Sequence, residues 1–175
     1  MSAGRVEELD VRPTSDVAAV HALLTECGLD LRDRFGLSHW VPAYPLHLLR
    51  EAAGRGEVYE VGPAGGPLVA TFSIGREPPP YYGGVAWAPE GEPGVYVARV
   101  AVRPSAQQAG LGSRCMRWIE GEARARGARS VRLDAYARHP EALRFYRRLG
   151  YADRGTAIAN DRPLICFEKV LLAAE

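Results

Sequence analysis

The chain predicts a mixed α/β sheet with helices on both faces. Its apolar runs switch between the two-residue period of strands and the 3.6-residue period of helices, in the order β-α-α-β-β-β-α-β-α-β-β. A hairpin in the middle makes neighbouring strands antiparallel, and a later strand–helix–strand unit makes one pair parallel. Together these give one mixed sheet covered on both sides, and the expected unit is a single domain over residues 1–175.

The elements follow in order. Val6 to Val11 forms a first strand, stopped by Pro13. Thr14 or Ser15 then caps a helix whose stripe is Val17, Val20, Leu23 and Leu24, with Gly28 as its expected end. Leu31 to Pro45 has no clean period and is rich in aromatics. It reads as a shaped loop, in which Trp40 and Tyr44 either bind a ligand or cover the core. Pro45 starts a helix over Leu46–Ala53. Glu57–Val61 and Leu68–Ile74 form the hairpin. The segment Arg76 to Gly94 holds five prolines and four glycines, which suits a lid or an inert insertion. Val95–Val102 is the central strand, followed by a helix from Gly110 to about Arg126. Ser130–Ala135, a helix over His139–Leu149, and strands from Tyr151 and over Leu164–Leu171 complete the order.

With 22 Lys and Arg against 21 Asp and Glu, there is no basic field for nucleic acid and no basic run for a membrane surface. No apolar stretch reaches the roughly 18 residues of a membrane span, and the polar N-terminus does not read as a signal peptide. Cys27, Cys115 and Cys166 are far apart in apolar contexts and read as reduced core thiols, so a cytoplasmic location is expected.

The most informative stretch joins the central strand to its helix. Gly110 and Gly112 strip side chains from the first turn, leaving bare N–H groups at the positive end of the helix dipole, a site for phosphate. The first glycine of a dinucleotide fingerprint is absent, and so is the Gly-Lys-Ser/Thr of a P-loop. Gln107-x-x-Gly110-x-Gly112, after Val102-x-Pro104, resembles the acyl-CoA signature Arg/Gln-x-x-Gly-x-Gly/Ala of the GNAT superfamily of N-acetyltransferases. A second stretch, His139 to Tyr151, resembles that family's Asn-x-x-Ala-x-x-Leu/Phe-Tyr-x-x-x-Gly-Phe pattern at Ala142, Phe145, Tyr146 and Gly150. His139 replaces the usual Asn, and Tyr151 the usual Phe.

The resemblance implies a sheet splayed between its fourth and fifth strands and transfer of an acetyl group from acetyl-CoA to a primary amine by direct attack. It implies no metal, and it admits a homodimer. The diphosphate is expected on the N–H groups of Gln108, Ala109, Gly110, Leu111, Gly112 and Ser113, with side-chain contacts from Gln107 and Arg114. The pantetheine arm is expected along Val100, Ala101 and Val102. His139 either contacts the CoA arm or caps its helix. Tyr146 is the carried-over donor to the leaving sulfur; read without the motif it is a core aromatic. The central strand offers Val97-Ala98-Arg99 where many relatives place an acid, so the base is sought at His39 or Asp134, with Glu60 as a further choice, or in water. Trp40, Tyr44, Tyr81, Tyr82, Trp87 and Tyr96 are expected to line the acceptor side. A non-catalytic acyl-CoA-binding module of the same fold is the alternative.

Overall fold

A computed structural model of the chain describes residues 9–107 and 109–173. Seven strands, β1 (Leu9–Pro13), β2 (Val58–Pro63), β3 (Ala70–Gly75), β4 (Gly94–Val102), β5 (Ser130–Tyr136), β6 (Ala152–Ala159) and β7 (Arg162–Val170), form one sheet in the order β1-β2-β3-β4-β5-β7-β6. Every neighbouring pair is antiparallel except β4 and β5, which run parallel. Four helices cover the sheet: α1 (Val17–Phe35), α2 (Leu46–Gly54), α3 (Leu111–Ala125) and α4 (Pro140–Arg148). This is the mixed architecture that the element order implies.

Two apolar clusters divide the helices. Val20, Leu23 and Leu24 of α1 pack with Leu49 and Ala52 of α2 against Val58 and Ala101. Leu111, Cys115, Met116 and Ile119 of α3 pack with Tyr146 of α4 against Phe72, Val97, Leu133 and Phe167.

The sheet parts at its centre. Parallel pairing of β4 with β5 covers only Gly94↔Ser130, Val95↔Val131 and Tyr96↔Arg132. Beyond Tyr96, β4 stays with β3 while β5 stays with β7 along its whole length. A β-bulge accompanies the parting: Arg99 and Val100 together oppose Phe72, between the pairs Ser73↔Ala98 and Thr71↔Ala101. Such a bulge bends its strand and increases local twist. Arg99 takes φ 53° to make it, in the left-handed region that non-glycine residues resist.

Three local expectations are corrected. Gly28 does not end α1, which continues to Phe35 and stops at Gly36, with φ 66° and its N–H on Arg32 O. Gly28 is buried because the loop crosses it: a Cβ there would lie 2.8 Å from Trp40 O and 3.0 Å from His39 O. Leu31–Phe35 is therefore helix, and the shaped loop is the shorter run 36–45. The cap of α1 is neither Thr14 nor Ser15 but Asp16, whose side chain accepts the Ala19 N–H at 3.0 Å. Pro13 belongs to β1 as its last paired residue, and Val6 of the predicted first strand lies outside the described residues.

Candidate active site

The gap between β4 and β5 is a cleft of about 460 Å³. Its β4 wall is the segment Val97–Val102, whose edge facing β5 pairs with no strand among the described residues. Its β5 wall carries Leu133, Asp134 and Ala135, and α4 adds Ala142 and Tyr146. The α1–α2 loop closes one end with His39, Trp40 and Tyr44, and the β6–β7 turn adds Asn160 and Arg162. That turn needs φ 48° at Asn160 and φ 60° at Asp161, the paired positive angles of a tight hairpin.

Of the sequence-derived positions, Val100, Ala101, Val102, Gln107, His39, Asp134, His139 and Tyr146 all line this one cleft. Gly110, Leu111, Gly112, Ser113 and Arg114 open α3 just beyond it in the chain, and Gln108 lies outside the described residues. Gly110 is the N-cap, with φ 73°, and no side chain caps α3. Its first N–H groups are thus left for water or a ligand, as an anion site requires. Leu111 turns its side chain into the core, so only its backbone faces outward. Gly112 has a different reason to be bare: a Cβ there would meet Phe145 Cζ at 3.2 Å, where α3 and α4 touch. Gln107 is already engaged, donating from Nε2 to Val102 O at 3.0 Å. The Cys27 thiol donates to that same carbonyl at 3.3 Å.

Tyr146 is 8% exposed and packs edge-on against Phe145 and Tyr151 while facing the cleft. Burial, then the nearby Asp134 carboxylate, pushes its phenol well above the usual range, so it stays protonated. Tyr146 therefore combines both of its readings, a core aromatic and a donor at the cleft wall. Asp134 accepts the Tyr82 hydroxyl on Oδ2 at 2.5 Å. Burial raises its pKa, and that hydrogen bond pulls it part of the way back. His39 is pushed down to about 4 by burial, then by Arg162 and His139, so its imidazole is neutral at neutral pH. His139 occupies the N-cap position of α4, but its side chain makes no capping bond. Its ring packs 5.4 Å from that of Phe35, and its Nδ1 is buried without a partner, as is Nδ1 of His39. An imidazole nitrogen kept dry and unbonded at a cleft wall is a group a ligand can satisfy.

Other candidates fall elsewhere. Glu60 is outside the cleft on β2, where Arg12 Nε and Thr14 Oγ1 each donate to it at 2.8 Å. Of the six aromatics, Trp40, Tyr44 and Tyr81 line the cleft and Tyr82 stands behind Asp134. Trp87 and Tyr96 do not line it; their rings flank the Arg132 guanidinium at 5.2 and 5.7 Å. The Arg76 to Gly94 segment is not an inert insertion: Tyr81 lines the cleft, Tyr82 holds Asp134, and the Ala88 N–H donates to Glu168 at 2.8 Å. The residues that sequence reasoning missed are Arg99, Asn160 and Arg162. For Arg99 a signal exists. The valine alternation of β4 runs on odd numbers at Val95 and Val97, then on even numbers at Val100 and Val102, which marks a bulge between them.

Among the described residues no group of three or more His, Cys, Asp or Glu side chains is arranged to hold a metal, and no helix is long and apolar enough to cross a membrane.

Solved structures share this fold. An acetyltransferase of the GNAT family from Streptococcus agalactiae superposes with a TM-score of 0.79 at 13% identity, covering 94% of this chain and 96% of its own. The ribosomal-protein-S18-alanine N-acetyltransferase of Escherichia coli gives 0.66 at 15% identity, covering 96% and 97%. The protein yncA of Salmonella typhimurium, solved with its cofactor acetyl-CoA, gives 0.62 at 16% identity, covering 95% of each chain. No curated protein matches the sequence significantly. The model of the acetyltransferase (GNAT) family matches residues 32–151, a span that takes in the bulged β4, the glycine-opened α3 and the whole of α4. The chain belongs to the GNAT acetyltransferase family.

Proposed function

We propose that this protein is an acetyl-CoA-dependent N-acetyltransferase acting on a primary amine. The observation that carries the reading is the cleft itself. A free β4 backbone edge faces Asp134 and Tyr146 across it, close in the chain to a helix start that nothing caps. The unpartnered nitrogen of His139 and the open first turn of α3 fit the acyl-CoA that the family uses. Bound there, acetyl-CoA supplies an acetyl group already activated as a thioester.

The chain's own groups then divide the work. The N–H groups at Gly110–Ser113 hold the diphosphate by hydrogen bonds and by the helix dipole. Main-chain groups of Val97–Ala101 orient the arm, and a main-chain N–H there stabilises charge on the acyl oxygen. The Val102 carbonyl, used by Gln107 and Cys27, is left to brace the strand. Tyr146 donates to the departing sulfur. The incoming amine must lose a proton, and an alkylammonium has a pKa of about 10.4. Of His39 and Asp134, Asp134 is the better base. Its proton affinity is raised and it adjoins Tyr146, whereas His39 is a poor proton acceptor beside Arg162. The three free cysteines are buried thiols, in keeping with a reducing, cytoplasmic setting.

The test is incubation with acetyl-CoA and a panel of amines, following release of free thiol. Amine-dependent release is expected; CoA binding with no release from any amine would instead mark a binding module. Tyr146→Phe is expected to lower kcat by roughly 10²-fold while the Kd for CoA moves far less. Equal kcat would remove Tyr146 from the chemistry.

Ser113→Glu tests the diphosphate site. The first turn of α3 holds no acidic residue, so a carboxylate there suits the dipole and should leave Tm equal or higher. The same carboxylate repels a diphosphate, and CoA affinity is expected to fall by about tenfold or more. Unchanged affinity would count against diphosphate binding at this turn.

A further inference from the structure

The cleft that holds Asp134 also holds a cation, Arg99, that the reading above leaves unused. Arg99, carried on the bulge at φ 53°, donates from Nε to Ser73 Oγ at 3.0 Å and from Nη1 to Tyr44 Oη at 2.7 Å. Both partners are neutral hydroxyls, and Nη2 makes no hydrogen bond among the described residues. This is unlike most of the arginines withdrawn from solvent, Arg114 at the start of α3 being another with no carboxylate partner among the described residues. Arg12, Arg103, Arg126, Arg132 and Arg154 each meet a carboxylate. Arg162, also at the cleft, bonds only Ser38 O among the described residues. The cleft's own acid is Asp134, turned toward Tyr82 rather than toward either arginine. Tyr81 is near enough to feel both charges, its phenol held high by burial and then by Asp134 and opposed by Arg99. A half-buried guanidinium without an anion costs desolvation that a pair would offset, and the left-handed backbone beneath it costs more. Both costs are explained if an anion arrives with the substrate. A guanidinium fork matches a carboxylate in shape as well as charge.

Building on the transferase reading, we propose that the acceptor is a zwitterion of the amino-acid class, its ammonium toward Asp134 and its carboxylate on Arg99. The Trp40, Tyr44 and Tyr81 rings receive an apolar side chain between these poles. Selectivity arises because an acceptor lacking the carboxylate leaves Arg99 desolvated and unpaired.

The experiment compares acceptors that differ only in the carboxylate: L-phenylalanine with phenethylamine, and L-leucine with 3-methylbutylamine, with O-phosphoethanolamine as a phosphate arm. Thiol release should give the carboxylated member of each pair a kcat/KM higher by roughly 10- to 100-fold, in line with a charge-assisted hydrogen bond. In Arg99→Gln that ratio should fall to within about threefold, through KM rather than kcat. Tyr44→Phe, which frees Nη1, should lower the same ratio partway and serves if Arg99→Gln does not fold. Calorimetric titration of L-phenylalanine into the CoA-saturated protein reads the site without turnover. Binding that weakens about tenfold in Arg99→Gln supports the inference even if no amine is acetylated, an outcome that would sink only the transferase reading. Equal kcat/KM within the pairs, a preference for the phosphate, or L-phenylalanine binding indifferent to Arg99 overturns it.

Discussion

Asp134→Asn is expected to lower kcat by two to three orders of magnitude, the usual worth of a positioned general base. Asparagine keeps the shape and can still accept the Tyr82 hydroxyl, so the loss would report the missing proton acceptor rather than a collapsed wall. The pH profile sharpens the test. Burial raises the Asp134 pKa, so the wild-type acid limb should lie above the usual carboxylate range, with activity falling as pH drops through it. Tyr82 donates to the ionised form and opposes that rise, so Tyr82→Phe should move the acid limb to still higher pH. Stability should move the other way. A carboxyl whose folded pKa exceeds its unfolded value loses stabilisation as pH climbs from the unfolded pKa through the folded one. At neutral pH the Asn variant is relieved of that loss, and its Tm should equal or exceed wild type. A variant that loses turnover while gaining Tm has exchanged a functional cost for stability. Unchanged kcat would hand proton removal to water or His39.

Much of this frame is readable from residue pattern, and the reasons it stops are physical. Element order survives in sequence because strand and helix periods are local properties. The glycine-opened helix is equally local, since Gly110 needs its left-handed angle whatever surrounds it. Gly28 shows where such reasoning fails. A glycine inside a helix looks like its end unless the distant loop that presses on it is known, here Trp40 O and His39 O. The cleft itself is a long-range object. It exists because β4 follows β3 while β5 follows β7 beyond Tyr96↔Arg132, and no window of sequence holds that divergence. The functional residues missed share this property. Arg99 points into the cleft through a bulge, and Arg162 enters through the fold-back of β6 and β7, which brings it to Ser38 O. Asp134 was legible because it sits polar between apolar neighbours on β5, and its partner Tyr82 was legible only as one aromatic among many.

Glu168→Ala is expected to be the most destabilising single change outside the cleft, by about 3–5 kcal/mol, because it strips a fully buried arginine of its counter-charge. Arg132 and Glu168 are both inaccessible to solvent and meet at 2.8 Å, Nε to Oε2. Most of the remaining groups are supplied: Glu168 Oε1 accepts from Ala88 N–H at 2.8 Å and from Arg154 Nε at 3.0 Å, while Arg132 Nη1 reaches Glu92 at 2.9 Å and Tyr96 Oη at 3.0 Å, and Arg132 Nη2 alone is buried without a partner among the described residues. Two glycines make room, since a Cβ at Gly94 would lie 2.8 Å from Arg132 Cζ and one at Gly91 would lie 2.7 Å from Glu168 Oε2. For a chain of this length the loss corresponds to a fall in Tm of roughly 6–20 °C. Glu168→Leu combined with Arg132→Met should recover most of it, since apolar side chains fill the space without an orphan charge. Although burial pushes Glu168 up, the Ala88 N–H and Arg132 together hold it below the ordinary glutamate range. Its contribution is therefore present above the unfolded glutamate pKa of about 4.3 and is lost as pH falls through the lower folded value. Glu168→Gln should flatten that acid limb of Tm against pH. The position of the pair ties this to function, for Tyr96↔Arg132 is the last rung before β4 and β5 part. Loosening that rung should let the parting run deeper into the sheet, so the KM for acetyl-CoA should rise in Glu168→Gln at temperatures well below its Tm. A variant that lost Tm but kept that KM would show that the bulge at Arg99 fixes the width of the cleft without help from the pair.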